Sequence, residues 1–529
     1  MPGWNFAAVW HGIAEIVPDR EAVVCGERRV SWGELDDRAA RLASHLWSEG
    51  LRPGDKVAID CTNRPEYLET YFGALKLGCV PVNVNYRYVT DEVRYVLDNS
   101  DAKAIVHDPA FATTVQEAIA GLPADRRPSS LQTGNEYEQA LDAASADGPW
   151  TARTPDGDDL SFLYTGGTTG MPKGVMWRND DLYVSLWQLS RPGTEPPDPV
   201  AAAKAGKRTG ISLPACPLMH GTGLHTALST LAGASTVVLV DRVGLDAELL
   251  WSEIERNDVA VLTIVGDPFA RPLLAALDAE PKRWDLSALR AITSSGATWS
   301  PETKAALLER LPQVRLFDSL GSSEGLMSRT VSSVTTEIAP ARFAVNANVK
   351  VFDEQTSAEV APGSGDVGFV GVTGPIPLGY YKDEEKTNAT FRVIDGVRYS
   401  IPGDYATVDA DGSIQLLGRG SACINTGGEK VYPEEVELVL REHPLVFDCV
   451  IIGVPDPRFG EKVVALVQPT PGHTVDITEL QAWTTDRLAG YKRPKQVFLV
   501  DSLERSAAGK ANYPRLRELA VRLATTTTT

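Results

Sequence analysis

Apolar positions along this chain alternate between two periods. Trp32, Leu35, Ala39, Leu42 and Leu46 recur at helical spacing, which predicts an amphipathic helix. Ser31-Trp-Gly-Glu34 opens it in the form of a capping box, with Glu at the third position after Ser. Asp55-Lys-Val-Ala-Ile-Asp60 then reads as a short buried strand. A second helix, roughly Glu66 to Leu77, leads to a second strand, Val80 to Val84. Leu249 to Asn257 (helix) and Val259 to Val265 (strand) repeat the pairing. Strands alternating with helices imply a parallel sheet covered on both faces. Residues 191 to 210, rich in Pro, Ala, Gly and charge, read as a mobile surface excursion, and Thr525 to Thr529 as a frayed tail.

Toward the C-terminus the pattern describes a smaller unit. A strand at Ser413 to Leu417 is closed by Gly418-Arg419-Gly420. Pro433 to Arg441 (helix), Cys449 to Val454 and Val463 to Gln468 (strands), Ile477 to Leu488 (helix) and Gln496 to Val500 (strand) follow. That is an α+β unit of the size of a lid domain. A chain of 529 residues exceeds one ordinary core, so at least two domains are expected.

Composition narrows the function classes. The net charge of −19, from 51 basic and 70 acidic side chains, argues against a nucleic-acid surface and a polybasic membrane anchor. The six cysteines form no CxxC pair, so free buried thiols in a reducing cytoplasm are expected, without a metal cage. The first residues lack the form of a signal peptide, and no stretch is long and apolar enough to span a bilayer.

Candidate chemistry concentrates at Tyr164-Thr-Gly-Gly-Thr-Thr-Gly-Met-Pro-Lys-Gly174. Glycine lets a backbone approach a ligand closely. The hydroxyls of Thr165, Thr168 and Thr169, the backbone around Gly170 and the charge of Lys173 can together wrap phosphate oxygens. The loop is not a Walker A motif, because Met171-Pro172 separates Gly170 from Lys173.

This loop resembles the phosphate loop of the adenylate-forming superfamily: acyl-CoA synthetases, luciferases and peptide-synthetase adenylation domains. Three more motifs of that family follow in order. They are Gly321-Ser-Ser-Glu324, then Pro402-Gly-Asp404 with Gly418-Arg419, then Gly509-Lys510 within Arg505-Ser-Ala-Ala-Gly-Lys510. The resemblance implies an α/β fold with parallel-rich sheets over residues 1–419 and a mobile α+β lid over 420–529. It implies ATP, Mg2+ and coenzyme A as cofactors. Lys510 would lie between the substrate carboxylate and the α-phosphate. Glu324, with Ser323 beside it, would be the magnesium carboxylate, Asp404 would meet the ribose, and Arg419 would contact the ribose or phosphate and mark the hinge. Gly296, Ala297, Asp318 and Ser319 would shape the adenine pocket. Gly427, Gly428 and Lys430 would line the pantetheine tunnel, and His220, Gly221, Gly266, Leu320 and Gly321 the acyl pocket.

The chain departs from the family at several points. Leu320 stands where an aromatic stacks on adenine, Ser323 where Thr is usual, and Asn179 where His is common. Gly418-Arg-Gly-Ser-Ala422 lacks the customary charged hinge residue. Several of these features, with Gly174-Val-Met-Trp177 and Gly427-Gly-Glu-Lys-Val-Tyr-Pro-Glu-Glu-Val436, resemble bacterial CoA ligases of steroid side-chain acids. The implied activity is ATP-dependent synthesis of an acyl-CoA from a bulky apolar carboxylic acid through an acyl-adenylate. The alternative is a divided enzyme that performs one half-reaction, such as thioesterification of a preformed acyl-adenylate. The acyl group is open, as is the oligomeric state, a homodimer being one option.

Overall fold

A computed structural model describes residues 3–526, save 166–170, 298, 337–341, 344–346, 420–423, 427–428, 457–459, 486, 489 and 506–510. The described strands form four sheets. An eight-stranded sheet runs from Gly325–Ser332 at one edge to Arg28–Ser31 at the other. Its interior strands pair in parallel, and antiparallel pairs close both edges. A seven-stranded sheet carries Lys56–Asp60, Val80–Asn83 and Leu160–Thr165 in parallel, then turns antiparallel through Lys173–Arg178 to Gly379–Tyr380. The helix–strand alternation anticipates both.

Helices between the sheets carry the expected periodicity. The Trp32–Ser48 helix buries Trp32, Leu35, Ala39, Leu42 and Leu46, and Ser31 Oγ caps it by accepting from Glu34 N. It packs on the fully buried Pro65–Leu77 helix. That helix also buries Glu69, held by Arg28 (3.1 Å) and by a two-bonded contact with Arg38 (2.9 and 3.0 Å). Burial raises the Glu69 carboxyl above its usual range although Arg38 opposes the shift. Glu69→Ala would remove a buried carboxylate shared by two guanidinium groups, leaving Arg28 with Glu66 and Arg38 with Glu138. The expected result is a loss of about 1–3 kcal/mol, read from denaturant unfolding of the full chain.

The structure corrects several expectations. A third, seven-stranded sheet, including Val367–Val372, Asp404–Val408 and Ile414–Arg419, is antiparallel throughout and has no counterpart in the parallel reading. Its strands are short and most are separated by turns, with the helix Glu384–Thr390 leading into Phe391–Ile394. The 191–210 stretch is not a featureless excursion. It holds the helix Pro199–Lys204, capped by Asp198 and buried at Ala203. An Asp-Pro step is a helix start signal. The helix expected to reach Leu488 ends at Trp483, where Thr484 Oγ1 bonds back to Gln481 O at 2.8 Å. Cys61, Cys79, Cys216 and Cys449 are free and buried, whereas Cys25 is half-buried.

In the small C-terminal unit, the long strands Val446–Asp456 and Gly460–Pro469 pair antiparallel and Gln496–Leu499 joins in parallel. The helix Pro433–Arg441 covers one face, and Tyr513–Thr526 the other.

Candidate active site

Leu160–Thr165 and Lys173–Arg178 are antiparallel partners, and their register sets Thr165 opposite Lys173. The Gly/Thr-rich loop joins them; Thr168, Thr169 and Gly170 lie outside the described residues. Thr165 and Lys173 both line a cavity of about 1090 Å3. Across it stands the turn between Arg315–Ser322 and Gly325–Ser332, where Ser322 pairs with Gly325 and leaves Ser323 and Glu324 at the tip. Trp177 Nε1 donates to Ser323 O at 3.0 Å and ties that tip to the Lys173 strand.

A short segment completes this part of the site. Gly379–Tyr380 pairs with Val175 and Met176 at the sheet edge. Tyr380 OH donates to Glu324 Oε1 at 2.7 Å, and Asp383 forms an ion pair with Lys173. The Asp383 carboxylate also accepts from Lys386 N at 2.9 Å, capping the helix Glu384–Thr390. Lys173 holds the Asp383 carboxyl below the usual carboxylate range. The sequence reading missed Tyr380 and Asp383. The available signal was Gly379-Tyr-Tyr-Lys-Asp383 ahead of a helix start, which carries little weight without the fold.

The remaining candidates divide. Gly296 has φ +88°, a conformation that favours glycine, and it lines the cavity with Ala297. Asp404 is buried, lines the cavity and opposes Arg419 in its ladder; the Arg419 side chain lies outside the described set. His220, at the N-cap of the Gly221–Ala232 helix, and Gly221 line the cavity, as do Leu320, Gly321, Ser323 and Glu324. Ser319 Oγ accepts from Arg329 Nε at 2.9 Å. Asp318 reaches the cavity wall, but its carboxylate is taken by Lys304 at 2.6 Å. Gly266 has φ +54° and donates its N–H to Ser294 Oγ at 2.9 Å, and its neighbours Val265 and Asp267 line the cavity.

The small unit closes the cavity from the other side. Glu434, Glu437, Arg441, Asp448, Arg505, Ala511 and Tyr513 contribute to its lining. Arg441 is buried, with Nη2 donating to Glu437 Oε2 at 2.9 Å and Nε to Asp448 Oδ1 at 3.2 Å. Arg505 Nη2 donates to the same Asp448 oxygen at 3.0 Å. Arg271 Nη1 reaches Val446 O at 3.3 Å and joins the two units. Lys510 lies outside the described residues, as do Gly427 and Gly428; the backbone of Lys430 is placed and its side chain is not described.

The family model for AMP-binding enzymes matches residues 12–381, and the model for the C-terminal domain of AMP-binding enzymes matches residues 435–510. The chain belongs to the AMP-binding enzymes. Relatives of this AMP-binding enzyme extend over nearly its whole length. A medium/long-chain-fatty-acid–CoA/3-oxocholest-4-en-26-oate–CoA ligase from Mycobacterium marinum is 41% identical, over 97% of this chain and 96% of its own. A 3-oxocholest-4-en-26-oate–CoA ligase from Rhodococcus rhodochrous is 40% identical, over 96% and 94%. Among solved structures, ATP-bound MatB from Rhodopseudomonas palustris superposes with a TM-score of 0.82 at 26% identity, covering 99% of this chain and 100% of that one. The adenylate-forming resemblance and the α/β fold with a large N-terminal and small C-terminal domain are thereby established, and this AMP-binding enzyme is of the CoA-ligase type. Among the described residues no helix is long and apolar enough to cross a membrane.

Proposed function

We propose that this AMP-binding enzyme activates a bulky apolar carboxylic acid with ATP, forms an acyl-adenylate and transfers the acyl group to coenzyme A. The observation that carries the reading is convergence. Thr165, Lys173, Glu324 and Asp404 come from three separate motifs and line one cavity. Arg505 and Ala511, the described neighbours of the Lys510 segment, line the same cavity from the small domain. The fatty-acid and steroid-acid CoA ligases among the relatives support an apolar acid as substrate.

The chemistry follows from charge. A carboxylate is a poor electrophile, and joining it to AMP supplies a leaving group. Bringing it to an anionic triphosphate requires fixed positive charge in a water-poor site. Lys173 would hold the β- and γ-phosphates, and Lys510 would bridge the carboxylate and the α-phosphate. Asp404 would accept from the ribose hydroxyls. Among the described residues no group of three or more His, Cys, Asp or Glu side chains is set to cage a metal. A single carboxylate, Glu324, suits Mg2+, which commonly takes one or two carboxylates and substrate phosphates. When bound, Mg2+ would offset phosphate charge. The thiol of coenzyme A then displaces AMP from the acyl carbon, and the loop carrying Gly427 and Gly428 would line its entry. We divide the domains at 419/420 and place the enzyme in the cytoplasm.

The test is to incubate the protein with a panel of apolar acids, ATP, Mg2+ and coenzyme A. Acyl-CoA and acyl-adenylate are then identified by mass spectrometry, with pyrophosphate release measured. Formation of acyl-CoA with pyrophosphate is expected. No pyrophosphate with any acid, yet thioester from synthetic acyl-adenylate, would replace this reading with the divided enzyme.

A further inference from the structure

The cavity floor is one face of the eight-stranded sheet, and register decides which residues share it. Ser212 opposes Val261, Thr263 opposes Thr293, Thr293 opposes Phe317, and Ser319 opposes Arg329. Residues opposite each other on neighbouring strands project from the same face. Ser212, Thr263, Thr293, Ser319 and Arg329 therefore lie on one face, and all five line the cavity. The alternate positions Leu213, Leu262, Ile292 and Leu316 pack into a separate apolar core. Interior strands buried on both faces are ordinarily aliphatic on both. Here the face toward the cavity, beside Val261 and Phe317, carries four hydroxyls and, from the edge strand, a guanidinium.

The hydroxyls satisfy one another. Thr226 Oγ1, on the overlying Gly221–Ala232 helix, donates to Thr263 Oγ1 at 3.2 Å, Thr263 and Thr293 meet at 2.7 Å, and Ser212 pairs with Thr230. Arg329 has a different status. Nε donates to Ser319 Oγ at 2.9 Å and Nη1 to Ser190 Oγ at 2.6 Å, and the Phe317 ring lies 5.6 Å from Cζ. Among the described residues Nη2 has no acceptor and no carboxylate pairs with the guanidinium. Burial without a counter-charge pushes the group down to about 10, which leaves it cationic at neutral pH. Two other arginines lining the cavity, Arg441 and Arg505, are ion-paired. Arg329 is half-buried in the cavity wall, and a planar fork of donors without a carboxylate partner matches a carboxylate ligand. Arg191, Lys207 and Arg208 line the same cavity and likewise have no ion pair among the described residues, in a chain whose net charge is −19.

We propose that Arg329 binds a second carboxylate on the acyl substrate, so that the acid activated carries an anionic group at its far end. This rests on the ligase reading above and narrows its substrate class. The apolar cavity residues Leu186, Trp187, Leu189 and Phe343 would hold the body of such an acid between its two charged ends. Arg329 is then a specificity-determining residue.

The experiment compares dodecanoic acid, dodecanedioic acid and monomethyl dodecanedioate as substrates, with ATP and coenzyme A. Wild type is expected to favour the diacid over the monoacid by about tenfold or more in kcat/KM, the scale of one charge-assisted contact. Arg329→Met should collapse that preference, and Arg329→Lys should retain part of it. A wild-type preference for the monoacid, or a preference that survives Arg329→Met, would overturn the assignment while the ligase reading stands. Equal use of the diacid and its monomethyl ester would also overturn it, since a neutral oxygen would then suffice. The wild-type comparison decides even if the Met variant fails to fold. Turnover of none of these acids, nor of any in the wider panel, would overturn the ligase reading and this assignment with it.

Discussion

Lys510→Ala is expected to lower acyl-adenylate formation about a hundredfold or more, while thioesterification of supplied acyl-adenylate survives. The magnitude is that of removing one preorganised group aimed at developing charge. The split follows from the proposed role. Lys510 would neutralise charge where carboxylate meets α-phosphate, and that charge problem is absent once the acyl-adenylate exists. The measurement is paired: pyrophosphate release from free acid and ATP, and thioester yield from synthetic acyl-adenylate and coenzyme A. If both half-reactions fall together in a folded variant, Lys510 acts on structure or on both steps, and the role assigned here is wrong.

Glu324→Gln carries the second large effect. The substitution keeps an oxygen for the Tyr380 hydroxyl, 2.7 Å from Glu324 Oε1, and removes only the charge. Adenylate formation is expected to fall about a hundredfold at limiting Mg2+, as for loss of one electrostatic group, and to recover in part as Mg2+ is raised. Tyr380→Phe serves as the control. It removes the donor that orients the carboxylate and keeps the charge, so a loss of several-fold with little change in Mg2+ dependence is expected. A Glu324→Gln variant whose deficit is the same at all Mg2+ concentrations would remove this residue from the metal.

How much of this was legible beforehand depends on the range of the interaction. Helices with local periodicity, such as Trp32–Ser48 and Pro433–Arg441, could be read from spacing alone. The antiparallel third sheet could not, because its short strands pair across long separations. The pairing of Arg342 with Gln415 is an example. Motif order placed Lys173, Glu324 and Asp404 at one cavity, since each sits within a recognisable run. Tyr380 and Asp383 carry no comparable run, and only the strand Gly379–Tyr380 brings them to the motif residues. Gly266 shows another side of this: the glycine opens the Gly266–Ala279 helix and bonds Ser294 across the sheet, a contact no local run announces. Arg329 escaped notice because one cation in a strand is unremarkable until its neighbours are known.

The contact between Lys173 and Asp383 sets a threshold for ligands. An anion reaching Lys173 does not meet an idle charge, because it must compete with a carboxylate fixed in place by the helix it caps. In the proposed role of Lys173, a triphosphate with its metal must displace Asp383 to take that position. A nucleotide without the terminal phosphates has nothing to offer at that position, and Asp383 regains its partner. In that proposed role, the internal carboxylate acts as a tethered rival to the ligand: it weakens the hold on the terminal phosphates, leaves AMP binding untouched and eases the departure of pyrophosphate, without any second binding site.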